Sequence, residues 1–313
     1  MIRSVKAFAP ATVANVSCGF DILGFPIDAM GDYVEVTRRD RPGLRVVSIE
    51  DDGGKLPWEV EKNTCAVAIQ AMLESYGKQV GMDIALRKGL PLGSGMGSSA
   101  ASAVAALVAA NRLLGDPFDR KDLLPFAIVA EKAACGAGHA DNVAPSLLGG
   151  FVLIRDYHPL DVIKLHVPEG LFCTLLHPHF ELNTSDSRSV LRDSIPLKHS
   201  TIQSGNVAGF VSGLYQEDFE LISRSMRDVI AEPYRAVLIP GFYEVREALK
   251  AAGALGMGIS GSGPTLFALS KGAEKTAAMA KAAEEIYEGI GLGVDVYFSA
   301  INTVGAYVLE EKN

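Results

Sequence analysis

Apolar and polar residues alternate at every second position over 5–9 and 33–37, the period of a strand with one buried face. The stretches 44–49 and 82–87 repeat that pattern. A helical period takes over at 65–76, where Asn63-Thr64 supplies a cap and Gly77 a stop. A long Ala-rich helix is predicted over 98–114, ended by Gly115 and Pro117, and another over 119–134, broken by Gly136 and Gly138. Strands are expected at 151–155, 162–167, 171–176, 255–259, 265–269, 294–299 and 304–309, and helices at 187–193, 201–215, 242–252 and 273–286. The segment 10–31 reads as too irregular for one regular element, and His139-Ala140-Asp141-Asn142, after two glycines, reads as loop. Strands and helices that mix without strict βαβ order predict an α+β fold. Tyr157-His158-Pro159 is the expected linker, dividing the chain into domains 1–160 and 161–313.

With 313 residues, two domains of ordinary size are expected. The 48% hydrophobic and 21% charged content excludes wholesale disorder. A net charge of −8 argues against a general nucleic-acid binder, because holding phosphate backbones takes a basic face. Four cysteines, Cys18, Cys65, Cys135 and Cys173, show no CxxC pair, which suits reduced thiols better than a zinc site. No basic-then-apolar leader opens the sequence, and the longest uncharged stretch, 100–110, falls short of the ~20 residues a bilayer span needs. The expectation is a cytoplasmic protein with no membrane and no nucleic-acid partner, acting on a small molecule.

The most informative stretch is Pro91-Leu92-Gly93-Ser94-Gly95-Met96-Gly97-Ser98-Ser99-Ala100-Ala101. Three glycines in five residues let the backbone turn tightly and bare its N–H groups. Two serines then open a helix whose unpaired amides and positive dipole end face the loop, a natural seat for a di- or triphosphate. The loop holds no Lys or Arg, so a divalent cation is expected to supply most of the neutralisation. No GxxxxGK[ST] pattern and no GxSxG elbow occurs. Gly256-x-Gly258-x-x-Gly261 is followed by a strand-like run, not the helix a dinucleotide-binding unit needs.

This loop resembles the phosphate-binding motif of the GHMP kinases. Gly258-Ile-Ser-Gly-Ser-Gly-Pro-Thr265 is similar to their C-terminal glycine motif, with Gly261, Ser262 and Gly263 expected near the phosphates. The segment Ala9-Pro-Ala-Thr-Val-Ala-Asn15-Val-Ser-Cys-Gly19-Phe-Asp21-Ile-Leu-Gly24, with Glu232-Pro-Tyr-Arg235 and Pro240-Gly241, resembles the homoserine kinase branch. The motifs run from 9 to 265, nearly the whole chain. The resemblance implies a ribosomal-protein-like N-terminal ATP-binding domain with a left-handed βαβ arrangement, against the usual crossover rule. It also implies a ferredoxin-like C-terminal domain, a site between the two, and a homodimer.

The implied reaction is transfer of the ATP γ-phosphoryl group to the hydroxyl of L-homoserine, with Mg²⁺; a mevalonate- or sugar-type acceptor, or a non-catalytic sensor, are the rival readings. Holding the zwitterion needs a carboxylate for the ammonium and guanidinium forks for the carboxylate. By resemblance Asn15, Asp21, Asn142, Arg188 and Arg235 bind it. Ser99 and Glu131 match the metal ligands, although spacing alone leaves Ser98 in play. Asn63 resembles an adenine contact and also reads as a plain N-cap. Mevalonate kinases pair the aspartate at the position of Asp141 with a lysine in the N-terminal motif. Here that segment, Ala9-Pro10-Ala11-Thr12, has none, so Asp141 is expected to assist only weakly. Asn142 would aim the hydroxyl and Thr184 stabilise the phosphoryl group, while His139 receives no chemical role.

Overall fold

The computed structural model describes residues 2–136 and 138–313; the side chain of Cys135 lies outside the described residues. Strands β1 (Ser4–Ala14), β2 (Leu23–Arg39) and β3 (Gly43–Glu50) lead to helix α1 (Thr64–Tyr76), β4 (Gly81–Arg87) and α2 (Ser98–Leu114). Then come α3 (Leu124–Cys135), α4 (Ala140–Leu148), β5 (Val152–Tyr157), β6 (Leu160–Lys164) and β7 (Leu171–Pro178). Helices α5 (Thr184–Ser189), α6 (Leu197–Gln216), α7 (Phe219–Ser225), α8 (Glu232–Arg235) and α9 (Phe242–Ala251) follow. The chain ends with β8 (Gly256–Ile259), β9 (Leu266–Lys271), α10 (Thr276–Gly289), β10 (Val294–Ala300) and β11 (Tyr307–Lys312).

A first sheet runs β11-β1-β2-β4-β3, with β5 and β6 added beside β2. Val5 lies opposite Val36 and Ala7 opposite Val34, while Ile84 and Leu86 face the same two β2 residues from β4. These side chains are buried, so the predicted alternation is one apolar face shared by three strands. Helix α2 packs on that face between α1, α3 and α4. Its alanines 100, 101, 103, 105, 106, 109 and 110 are fully buried, and small side chains are what let it approach so closely from several sides. The second sheet is antiparallel in the order β10-β7-β9-β8, the ferredoxin-like arrangement. One face of it takes α9 and α10 through Phe242, Val245, Met279 and Tyr287. Cys173, Leu175, Phe267 and Leu269 instead join the main core with Phe25, Phe151 and Phe210.

Two expectations need correction. The 157–159 segment is the turn of the β5–β6 hairpin, so the chain crosses to the second sheet between Lys164 and Leu171, not at 160. The last strand, β11, returns to pair with β1. As expected, the stretch 10–31 is not one element: it holds the end of β1, with a register shift between Pro10 and Thr12, then a turn after Ala14, then the start of β2.

That turn is left-handed: Asn15, Val16 and Ser17 have φ of 72°, 43° and 58°. Such backbone costs ~1–2 kcal/mol per residue with a Cβ. Asn15 O accepts from Gly19 N–H and Gln203 Nε2 donates to Cys18 O, which hold the turn. The Ser17 hydroxyl is buried without a partner among the described residues. Ser17→Gly therefore relieves both strain and an orphaned hydroxyl, against ~0.5–1 kcal/mol of added chain entropy. We expect the variant to be stabilised by about 1 kcal/mol in urea denaturation; a lower midpoint would contradict this.

Candidate active site

Phosphate loop and helix meet as the glycines predict. Gly93, Gly95 and Gly97 have φ of 65°, 78° and 69°, and Gly97 is the N-cap of α2 with no side-chain cap hydrogen bond. First-turn amides of α2 are thus left to whatever occupies the cavity beside them, which measures about 560 Å³ and is lined by Gly93, Ser94, Gly95, Gly97, Ser98 and Ser99. A Cβ on Gly95 would run into the carbonyls of Ser260 and Gly263. Ser260 Oγ donates to Gly95 O at 2.7 Å and Thr265 N–H to Ser94 O at 3.2 Å, so the C-terminal glycine motif closes directly onto the loop. Pro91, Leu92, Met96, Ala100 and Ala101 shape this unit; Met96, Ala100 and Ala101 are fully buried.

Asn63 caps α1: its Oδ1 accepts from Cys65 and Ala66 N–H at 3.1 and 3.4 Å, and its Nδ2 donates to Pro57 O at 2.9 Å. It lines the cavity while holding the 57–63 loop in place.

Ser99 Oγ donates to Glu131 Oε2 at 2.8 Å, whereas Ser98 Oγ turns to Leu90 O at 3.4 Å. Glu131 is buried, not on a solvated helix face. Asp141 is buried beside it with Oδ1 unpartnered among the described residues. Burial, then the negative charges of Asp21 and Glu131, pushes its carboxyl up to about 8. Hard oxygens, an orphaned carboxylate oxygen and crowded negative charge suit Mg²⁺, which commonly takes only one or two protein ligands and the rest from phosphates and water. No cluster of three or more His, Cys, Asp or Glu stands ready to hold a metal among the described residues.

On the acceptor side Arg188 Nη2 donates to Asp21 Oδ1 and Oδ2 at 2.8 and 3.0 Å. Asp21, itself at φ 58°, is held by its N–H on Asn15 Oδ1 (3.0 Å) and by Tyr157, whose hydroxyl donates to Asp21 O at 2.9 Å. Asn15 Nδ2 donates to Gly261 O at 2.7 Å, so Asn15 has both ends of its amide engaged and positions its neighbours. Arg235 is buried, donating from Nε to Ser187 O and from Nη1 to Gly261 O at 3.1 and 3.0 Å. Both guanidinium groups lie over the Phe20 ring. Thr184 Oγ1 is 3.2 Å from Ser262 Oγ.

Asp141 and Asn142 sit in the first turn of α4, not on a loop: Gly136 caps the end of α3, and a new helix starts at Ala140. His139 receives no role from the sequence, yet it lies beside the Asp21–Arg188 pair, its Nδ1 3.2 Å from Arg188 Nη2 and 3.8 Å from Asp21 Oδ1. Burial and the Arg188 charge lower its pKa, which keeps the ring neutral at pH 7. Lys88 was also missed. It is buried at the cavity edge, ion-paired with Asp32, and donates to Ser98 O and Ser102 Oγ at 3.0 Å. A basic residue three positions before the Pro91 loop was the available signal. Asp32 answers its charge.

Residues 63–150 match the GHMP kinases N terminal domain and 210–289 the GHMP kinases C terminal domain. The chain is 51% identical to a homoserine kinase of Chlorobium phaeovibrioides, covering 98% of this chain and 100% of that one. With a homoserine kinase of Chlorobaculum tepidum the identity is 48%, covering 98% and 99%. The fold superposes on a crystal structure of homoserine kinase from Cytophaga hutchinsonii with TM-score 0.96 and 52% identity, over 99% of this chain and 98% of that one. Leishmania major mevalonate kinase, at 16% identity and TM-score 0.69 over 95% and 96%, shares the fold.

Proposed function

The chain belongs to the homoserine kinases of the GHMP kinase family, and from that premise we propose how it moves the γ-phosphoryl group of ATP to the hydroxyl of L-homoserine. The observation that carries the reading is one cavity lined both by open amides of the glycine loop and by a facing Asp21–Arg188 pair. Asp21 takes the substrate ammonium, while Arg188 and Arg235 take its carboxylate; the two charges that bind the zwitterion neutralise each other until it arrives. Neutral His139 stands beside the Asp21–Arg188 pair, its Nδ1 facing Arg188 Nη2. Asn142 aims the hydroxyl, and Asp141 assists only weakly, because its carboxyl is held protonated near neutral pH and accepts the hydroxyl proton only in its ionised fraction. The loop amides of 93–99 and Thr184, with Ser262 beside it, stabilise the transferring group, for which in-line positioning and charge matter more than proton chemistry. Ser99 and Glu131 would hold Mg²⁺, which supplies charge neutralisation at the phosphates when bound.

ADP release with Mg²⁺–ATP tests this reading. Homoserine should support turnover, and 4-hydroxybutyrate, which keeps the hydroxyl and carboxylate but lacks the ammonium, should lose most of it. Equal rates with both, or turnover on mevalonate alone, would overturn it. EDTA should abolish the activity.

Among the described residues no helix is long and apolar enough to cross a membrane. Cys18, Cys65 and Cys173 are buried and unpaired, the Cys18 and Cys65 thiols pushed up by burial to about 12. Such thiols fit a reducing compartment, and we place the enzyme in the cytoplasm, as a homodimer.

A further inference from the structure

Thr12 has no part in the chemistry described so far, yet it is wholly buried at the junction of three site elements. Its N–H donates to Met96 O of the phosphate loop at 3.0 Å, and its Oγ1 donates to Asn142 Oδ1 at 2.7 Å. A Cβ on Gly97 would run into that hydroxyl and come within 2.9 Å of Asn142 Oδ1. The last loop glycine thus makes room for the Thr12–Asn142 hydrogen bond.

An amide has one accepting and one donating end. With Oδ1 occupied by Thr12, the free end of Asn142 is Nδ2, which has no hydrogen-bond partner among the described residues and belongs to a side chain that lines the cavity. We infer that Thr12 is a positioning residue: it locks the Asn142 amide so that an N–H, not a carbonyl, meets the hydroxyl oxygen of the acceptor. Donation to one lone pair of that oxygen turns the other toward phosphorus and leaves the O–H free to face Asp141. A threonine suits the task because its branched Cβ restricts χ1 and aims the hydroxyl from a rigid strand.

The inference rests on the homoserine kinase reading, so wild-type ADP release with homoserine is scored first; its absence would overturn that reading and leave nothing for Thr12 to position. Thr12→Val keeps the branched shape and removes the hydroxyl. It should lower kcat by about 10–100-fold, the cost of a loosened reacting group, with KM for ATP within about twofold of wild type. Thr12→Ser restores the donor and should recover kcat to within about threefold. In an Asn142→Ala background, Thr12→Val should add less than a twofold loss. The inference fails if Thr12→Val stays within twofold of wild type. It also fails if Thr12→Ser is as impaired as Thr12→Val, which would mean packing alone, or if Thr12→Val costs as much without the Asn142 amide as with it.

Discussion

Asp141→Asn is expected to lower kcat by about 10²-fold, and by no more than the ~10⁴-fold ceiling of general-base removal, while making the protein more stable above neutral pH. The two effects share one cause. Burial and the neighbouring Asp21 and Glu131 charges raise this carboxyl from 3.8 to about 8 in the folded chain, with the Arg188 charge opposing them. The folded state therefore holds a proton that the unfolded chain releases near pH 4. Stability from this group is complete below pH 4 and is lost as the pH climbs toward 8. Asparagine keeps the shape and cannot ionise, so melting temperature should decline between pH 4 and 8 more steeply in wild type than in the variant. A variant that melts below wild type at pH 8 would contradict the assignment. A kcat loss beyond ~10⁴-fold would mean that Asp141 does more than accept a proton.

Gly97→Ala should lower kcat/KM for both substrates by at least about 10²-fold. Its φ of 69° adds ~1–2 kcal/mol of strain to any residue with a Cβ. The new methyl must also displace Thr12 Oγ1 and crowd Asn142, pushing the glycine loop and the Asn142 amide apart. Displacement by about 1 Å is enough for a loss of that size. Gly115→Ala is the control: it carries similar strain at φ 88°, with nothing within 4 Å of the added carbon, at the far end of the same helix. It should lose stability and keep kcat. Equal kinetics in the two variants would show that strain alone, not the Thr12–Asn142 junction, governs position 97.

Local chemistry was enough to place α1 and α2. Asn63, Gly77, Gly97 and Gly115 act within four residues of the helix ends they set, so the cap hydrogen bonds and left-handed glycines stand where the pattern put them. Helix α4 was hidden for the same local reason, because Gly136 and Gly138 read as breakers while packing against β1 and β2 sustains the helix. The left-handed turn of Asn15, Val16 and Ser17 runs against the preference of Val16 and Ser17, and contacts from Gly261 and Gln203 hold it.

By itself, then, the sequence marked the glycine loop, the helix behind it and the α+β class, because glycine spacing, capping and periodicity are short-range properties of a chain; the kinase family came from the resemblance that its motifs carry. Only the tertiary structure decided that Ser99 and not Ser98 meets Glu131, that His139 stands against Arg188, and that Thr12 grips Asn142. Each of these joins residues 32 to 130 positions apart. No local propensity encodes such a contact; it exists because burying the faces of both sheets leaves one arrangement of the loops between them.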